Sequence, residues 1–185
     1  MRQVADREQP SCTRSPSRRA PTDFRRAGAA EAPMLVSQIM TTDPASCTAS
    51  ANLEHALYAM LERDCGFVPV VTDDGRVAGV VTDRDICVAI ALHQTLPCRM
   101  RVGDVMSQPV FSCRDDDTVL TALGRMTRHA VRRLPAVDSQ GSLVGVLSLN
   151  DVALATHHPG GPTESDVAET LRAICAHRIV EPSPA

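Results

Sequence analysis

The chain of 185 residues is 43% hydrophobic and carries a formal charge of −3 at pH 7. That is enough apolar material for one globular domain with a real core, and a second independent domain is not expected. Aromatic residues make up 2% and tryptophan is absent, so the stacking platforms of single-stranded nucleic-acid binders are missing and the charge balance offers no basic surface in their place. No apolar run approaches the roughly 20 residues needed to cross a bilayer, and the N-terminus lacks a positively charged start followed by an apolar stretch. No nucleic-acid or membrane partner is therefore expected, and the cytoplasm is the expected location.

In chain order, residues 1–33 come first, with Pro10, Pro16, Pro21, Pro33 and seven arginines but no apolar periodicity. Such a segment cannot bury enough surface to offset the entropy of ordering, so a disordered arm is expected. Its Arg and Ser content resembles a transit peptide, against which Asp6, Glu8, Asp23 and Glu31 argue. Met34, just ahead of the first patterned segment, is an alternative start.

Leu53, Ala56, Leu57, Met60 and Leu61 then recur at helical spacing. Apolar, β-branched runs at 67–71 and 77–81 follow, around the turn Thr72-Asp73-Asp74-Gly75. This predicts a helix, a strand pair and, from near Asp83, a second helix. Val119, Leu120, Leu123 and Met126 predict another helix, followed by strands at 134–137 and 143–147 around Asp138-Ser139-Gln140-Gly141 and a helix from near Leu149. After Pro162, Thr163-Glu164-Ser165-Asp166 offers a capping box, and Val167, Leu171, Ile174 and Arg178 mark one face of a final helix. That helix needs either the module or a partner subunit to lie against.

The two halves are copies. Residues 36–89 laid over 102–155 at a constant offset of 66 give 14 identities in 54 positions without gaps, where random pairing gives about four. Met40 falls on Met106, Cys47 on Cys113, Pro69 on Pro135, Gly79 on Gly145 and Asp85 on Asp151. The period is longer than a solenoid unit and indicates two copies of a compact motif. The seven cysteines are scattered, odd in number and lack a C-x-x-C pair. They are expected as reduced thiols, most of them buried among Val, Ile and Ala, with no disulfide framework and no metal site.

Each copy ends its strand pair with one motif, G-V-V-T-D-R-D over 79–85 and G-V-L-S-L-N-D over 145–151, and opens with Met-Thr at 40–41 or Met-Ser at 106–107. Together with the duplicated order strand, helix, strand, strand, helix, these motifs resemble the CBS domain, over about residues 34–158. The chain is similar to small stand-alone bacterial proteins built of a tandem CBS pair, the Bateman module. The resemblance implies an α+β fold in which two βαββα repeats, at 34–95 and 96–158, pack pseudo-two-fold through their sheets and leave two clefts, with 159–185 as a tail. In that family the clefts commonly hold AMP, ADP, ATP, S-adenosylmethionine or related adenosyl ligands, and antiparallel dimers are common. No cofactor is obligatory.

Thr82 and Asp85 stand three apart at a helix start, as do Ser148 and Asp151. On its own the spacing is a capping box. It also suits a ligand, because a helix N-terminus favours a phosphate, with the Thr82 or Ser148 hydroxyl as an added donor, and an ionised Asp can accept from both hydroxyls of a ribose. The family resemblance gives that ribose role to Asp85 and Asp151. Arg132 and Arg133 precede the strand at 134–137 and suit bidentate phosphate contacts; R-R-L-P followed by S-L-N-D, with Asn150, resembles nucleotide-binding CBS repeats of energy-sensing kinases. The phosphorylated ligand is therefore expected in the Asp151 cleft, with His129 nearby. In the first repeat Arg84 is the phosphate candidate and Phe67 the base contact. His157-His158 and Asp115-Asp116-Asp117 carry no metal-site geometry, and no nucleophile–base arrangement or glycine-rich phosphate loop is present. The expected function is a regulatory adenosyl-ligand sensor without catalysis, signalling through a homodimer or an unidentified protein partner. The rival is a scaffold for dimerisation or interaction whose clefts are vestigial.

Overall fold

The computed structural model describes residues 32–176; the arm expected over 1–33 falls outside the described residues except at its end, as do Cys12 and Arg178. The first repeat comprises β1 (Thr41–Thr42), β2 (Cys47–Thr48), α1 (Leu53–Glu62), β3 (Phe67–Val71), β4 (Val77–Thr82) and α2 (Asp83–His93). The second comprises β5 (Cys113–Arg114), α3 (Val119–His129), β6 (Arg133–Val137), β7 (Leu143–Ser148) and α4 (Leu149–Leu154), and α5 (Glu164–Cys175) follows. The fold is α+β, in two sheets of order β2-β3-β4 and β1-β7-β6-β5.

The repeats fold alike because they place like residues at like steps. Phe67 pairs Thr82 and Val70 pairs Gly79 in one hairpin, as Arg133 pairs Ser148 and Ala136 pairs Gly145 in the other. Gly75 (φ +80) and Gly141 (φ +83) close the two hairpins in the left-handed region, which glycine enters without the Cβ penalty. The hairpin tips touch, Leu143 N–H donating to the Gly75 carbonyl at 3.0 Å.

Each repeat has its own core, yet neither core is made by one repeat alone. Val36, from the opening of the first repeat, is fully buried among Leu134, Leu147 and Met126 of the second. Val102 and Met106, from the opening of the second, pack with Leu53, Val81 and Ile86 of the first. Backbone bonds hold the crossings: Val36 N–H donates to Asp117 O at 2.9 Å and Val102 N–H to Ala51 O at 2.8 Å. β1 pairs with β7 rather than with a strand of its own repeat, and Ser107 bridges Val80 in the equivalent place. The glycine before each T/S-x-x-D box makes room for the crossing. A Cβ at Gly79 would lie 2.5 Å from Met106 Sδ, and one at Gly145 would lie 2.6 Å from Met40 Sδ. Burying Val36 alone is worth about 1.5–3 kcal/mol, so each opening segment is a real part of the opposite core.

Two expectations change, and one left open is decided. Leu61 (76% exposed) and Leu120 leave the apolar stripes of α1 and α3 for solvent, since the buried face is carried by Leu53, Ala56 and Met60 on α1 and by Val119, Ala122, Leu123 and Met126 on α3. Of the described cysteines only Cys47 and Cys113 are buried, Cys65 is half-buried, and Cys87, Cys98 and Cys175 are exposed. Neighbouring Val and Ala in sequence do not bury Cys87, because α2 turns it outward. Finally, α5 does dock on the module, through Val167 and Ile174 against the second core and a Thr127–Thr170 hydroxyl contact of 3.2 Å. The residue it buries is Thr170, while Leu171 is exposed.

Candidate functional site

α2 and α4 begin alike. Thr82 Oγ1 accepts from the Asp85 N–H at 3.2 Å, and Asp85 Oδ2 accepts from the Thr82 N–H at 2.9 Å and its hydroxyl at 2.8 Å. Ser148 and Asp151 repeat this at 3.2, 2.8 and 2.7 Å. Both boxes use Oδ2 alone; Oδ1 of Asp85 and of Asp151 has no hydrogen-bond partner among the described residues. A carboxylate fixed by one oxygen and open at the other is a pre-oriented acceptor for a diol.

Each box faces a cleft. The larger, about 500 Å³, is lined by Phe67, Thr82, Asp83, Arg84 and Asp85 of the first repeat and by Ser107, Pro109, Phe111 and residues 130–133 of the second. The smaller, about 350 Å³, is lined by Ser148, Asn150 and Asp151 together with Arg133, and by Thr41, Asp43, Arg63, Asp64, Cys65 and Phe67 of the first repeat. The exchange of opening segments explains why each cleft draws on both repeats: the wall facing each T/S-x-x-D box belongs to the other copy.

That geometry alters the expected grouping. The Arg132 backbone stays beside the second box, its carbonyl accepting from the Leu149 N–H at 2.9 Å, but Arg132 lines the Asp85 cleft and not the Asp151 cleft, and Arg133 and Phe67 line both. Sequence distance grouped Arg132 with Ser148 because the two share a repeat. In space the segment 130–132 closes the other repeat's cleft. The larger cleft thus holds three arginines (Arg84, Arg132, Arg133) against Asp83 and Asp85.

The phosphate donors also change. The hydroxyl protons of Thr82 and Ser148 go to their own carboxylates. The first N–H groups of α2 are engaged as well, Asp83 N–H with Gly66 O at 3.4 Å and Arg84 N–H with Asp83 Oδ1 at 2.8 Å. The donors left in this cleft are the guanidinium groups of Arg84, Arg132 and Arg133, whose planar forks suit an anion. His129 stacks on Phe111, ring centroids 3.7 Å apart and planes at 12°. Phe111 and Pro109 were missed in the sequence; their only signal was their place in the opening segment of the second repeat. Among the described residues no group of three or more His, Cys, Asp or Glu is placed to hold a metal ion, and no helix is long and apolar enough to cross a membrane.

A duplicated βαββα unit, with an open carboxylate facing a shared cleft in each half, defines a class of two-site tandem modules. The family model for the CBS domain matches residues 36–92 and 102–158, and the chain belongs to that family. The uncharacterized protein YlbB of Bacillus subtilis is 32% identical over 138 residues, 72% of this chain and 91% of that one. Relatives named as enzymes match differently. Homoserine O-acetyltransferase of Methanococcoides burtonii and inosine-5′-monophosphate dehydrogenase of Mycobacterium tuberculosis are 30% and 28% identical over 63% and 69% of this chain, but over only 23% of their own length. Among solved structures, CBSX2 in complex with AMP matches with a TM-score of 0.57 at 27% identity, over 66% of this chain and 96% of that one. The CBS pair of MJ0100, in complex with 5′-methylthioadenosine and S-adenosylmethionine, matches with a TM-score of 0.60 at 20% identity, over 66% and 95%.

Proposed function

We propose that the chain is a regulatory module that binds an adenine nucleotide, with a phosphorylated ligand in the Asp85 cleft, and that it has no catalytic role. The observation that carries this is the pairing, in one cleft of about 500 Å³, of a half-open Asp85 carboxylate with Arg84, Arg132 and Arg133. In the reading, Asp85 Oδ1 accepts from the ribose, Phe67 contacts the base and the three arginines meet the phosphate. The bound AMP of CBSX2, a neighbour at 27% identity, supports the ligand class. A ligand bridging both repeats would bias their relative orientation, and that change is the signal. The signal leaves through a second copy docked on the exposed side chains of the first repeat's helices, Tyr58, Leu61, Val88 and Leu92. We place the module in the cytoplasm, where its thiols stay reduced.

AMP should raise the melting temperature of the parent protein, because a ligand that binds only the folded form stabilises it. Asp85→Ala and Arg132→Ala should each abolish or sharply reduce that shift. No shift with AMP, ADP or ATP would favour the scaffold reading, which the same exposed leucines could serve.

A further inference from the structure

The offset of 66 that relates the repeats also relates the linings of the two clefts, so they can be compared position by position. The shared chemistry is the hydroxyl–carboxylate box. Most differences at the rim shift charge in one direction, the exceptions being Asp83 against Leu149 and Arg63 against His129. Arg84 in the larger cleft corresponds to Asn150 in the smaller, Ala130 to Asp64 and Pro109 to Asp43. Arg132 corresponds to Gly66, which has no side chain to offer.

The smaller cleft gains Arg63, but Asp43 holds that guanidinium at 3.4 Å. Three aspartates (Asp43, Asp64, Asp151) thus face two arginines, one of them already paired, where the larger cleft has two aspartates facing three arginines. The backbone alone does not demand this. Asp43 (φ 50) and Asp64 (φ 48) lie in the left-handed region, which asparagine or glycine fills as well as aspartate and without charge.

We propose that the Asp151 cleft is a nucleoside site that excludes phosphate, taking an adenosine whose 5′ substituent is neutral or cationic, while the phosphorylated ligand goes to the Asp85 cleft. This rests on the reading above of the two clefts as adenosyl sites and divides the ligands between them. A 5′-phosphate entering the smaller cleft meets an excess of one negative charge (Asp43, Asp64 and Asp151 against Arg63 and Arg133), where the larger cleft offers an excess of one positive charge; a 5′-ammonium in the smaller cleft is drawn toward Asp64, whose carboxylate no arginine holds. A volume of about 350 Å³ is at the small end of the range for small-molecule sites.

The test uses the full chain and isothermal titration with three probes: AMP, adenosine and 5′-amino-5′-deoxyadenosine. Asp85→Ala leaves only the Asp151 cleft intact, and Asp85→Asn, which keeps a capping acceptor, serves if the alanine variant folds poorly. In either background the amino nucleoside should bind at least as tightly as adenosine, and AMP at least about tenfold more weakly than adenosine. Adding Asp64→Ala and Asn150→Arg, which mirror Ala130 and Arg84 of the larger cleft, should reverse the order in favour of AMP. AMP binding as tightly as adenosine in the Asp85 variants overturns the division of ligands, as does failure of all three probes to bind there. Either result leaves the Asp85 site standing. Failure of AMP to bind Asp151→Ala, whose Asp85 cleft is whole, instead sinks the function proposed above.

Discussion

Replacing Gly145 by alanine measures how closely the two repeats are interlocked. The added Cβ would lie 2.6 Å from Met40 Sδ, 3.0 Å from Met40 Cγ and 2.9 Å from the Thr41 carbonyl oxygen. The thioether can swing aside, but the carbonyl belongs to β1, which is paired to β7 at this residue, Thr42 opposite Gly145. Relief therefore requires β1 to move off the second sheet, and Val36, four residues before Met40, is drawn with it. Overpacking of this kind costs roughly 1–3 kcal/mol, and the backbone clash puts Gly145→Ala near the middle, at about 2 kcal/mol. At roughly 2–4 °C per kcal/mol for a domain of this size, the melting temperature should fall by about 4–8 °C. Gly79 is the internal control. The three atoms nearest its added Cβ all belong to the Met106 side chain, with Sδ at 2.5 Å, Cγ at 3.1 Å and Cβ at 3.3 Å. A single flexible side chain can adjust, so Gly79→Ala should cost about half as much. Calorimetry of both variants decides the matter: a neutral Gly145→Ala, or a Gly79→Ala that costs more, refutes the interlocked picture.

Three other outcomes follow from local chemistry. Ala130 caps α3 in the left-handed region at φ 53, where a Cβ is strained, so Ala130→Gly should raise stability in urea by up to about 1 kcal/mol with an unchanged m-value. The Thr163 hydroxyl holds the Asp166 carboxyl below its ordinary value of 3.8. A depressed folded value gives stability that is present above the unfolded pKa and lost as pH falls through the folded one. Asp166→Asn should accordingly lower the melting temperature at neutral pH, and parent and variant should converge as the pH drops below the usual carboxylate range. Burial pushes the Cys47 and Cys113 thiols up to about 11 and about 12. With a disulfide reagent near pH 8, Cys87, Cys98 and Cys175 should react quickly, and Cys47 and Cys113 only on unfolding, as mass spectrometry of the labelled peptides would show.

The elements were legible because their signals are local. The continuous apolar runs ending at Val71 and Val137, the turn glycines Gly75 and Gly141, and the T/S-x-x-D boxes all act within a few residues, and each reappears at its expected place. The partnering of elements was not legible, since it depends on contacts far apart in sequence. Nothing near Met40 says that its thioether lies over Gly145 of the other copy, and nothing near Arg132 says that it faces Asp85. The aspartates themselves were found by duplication; which arginines they face was decided by the crossing of the opening segments. Thr170 in place of Leu171 on the buried side of α5 is a smaller case, where one hydroxyl contact to Thr127 replaced the apolar residue that helical periodicity favoured.

The crossed openings bear on how such a molecule could have arisen. A single copy standing alone would have a hairpin without its covering valine and a loose end with nothing to cover. Two copies remove both defects at once by trading ends, whether or not a peptide joins them. Joined in one chain, the two copies need not be identical, and one half carries Arg132 where the other has Gly66.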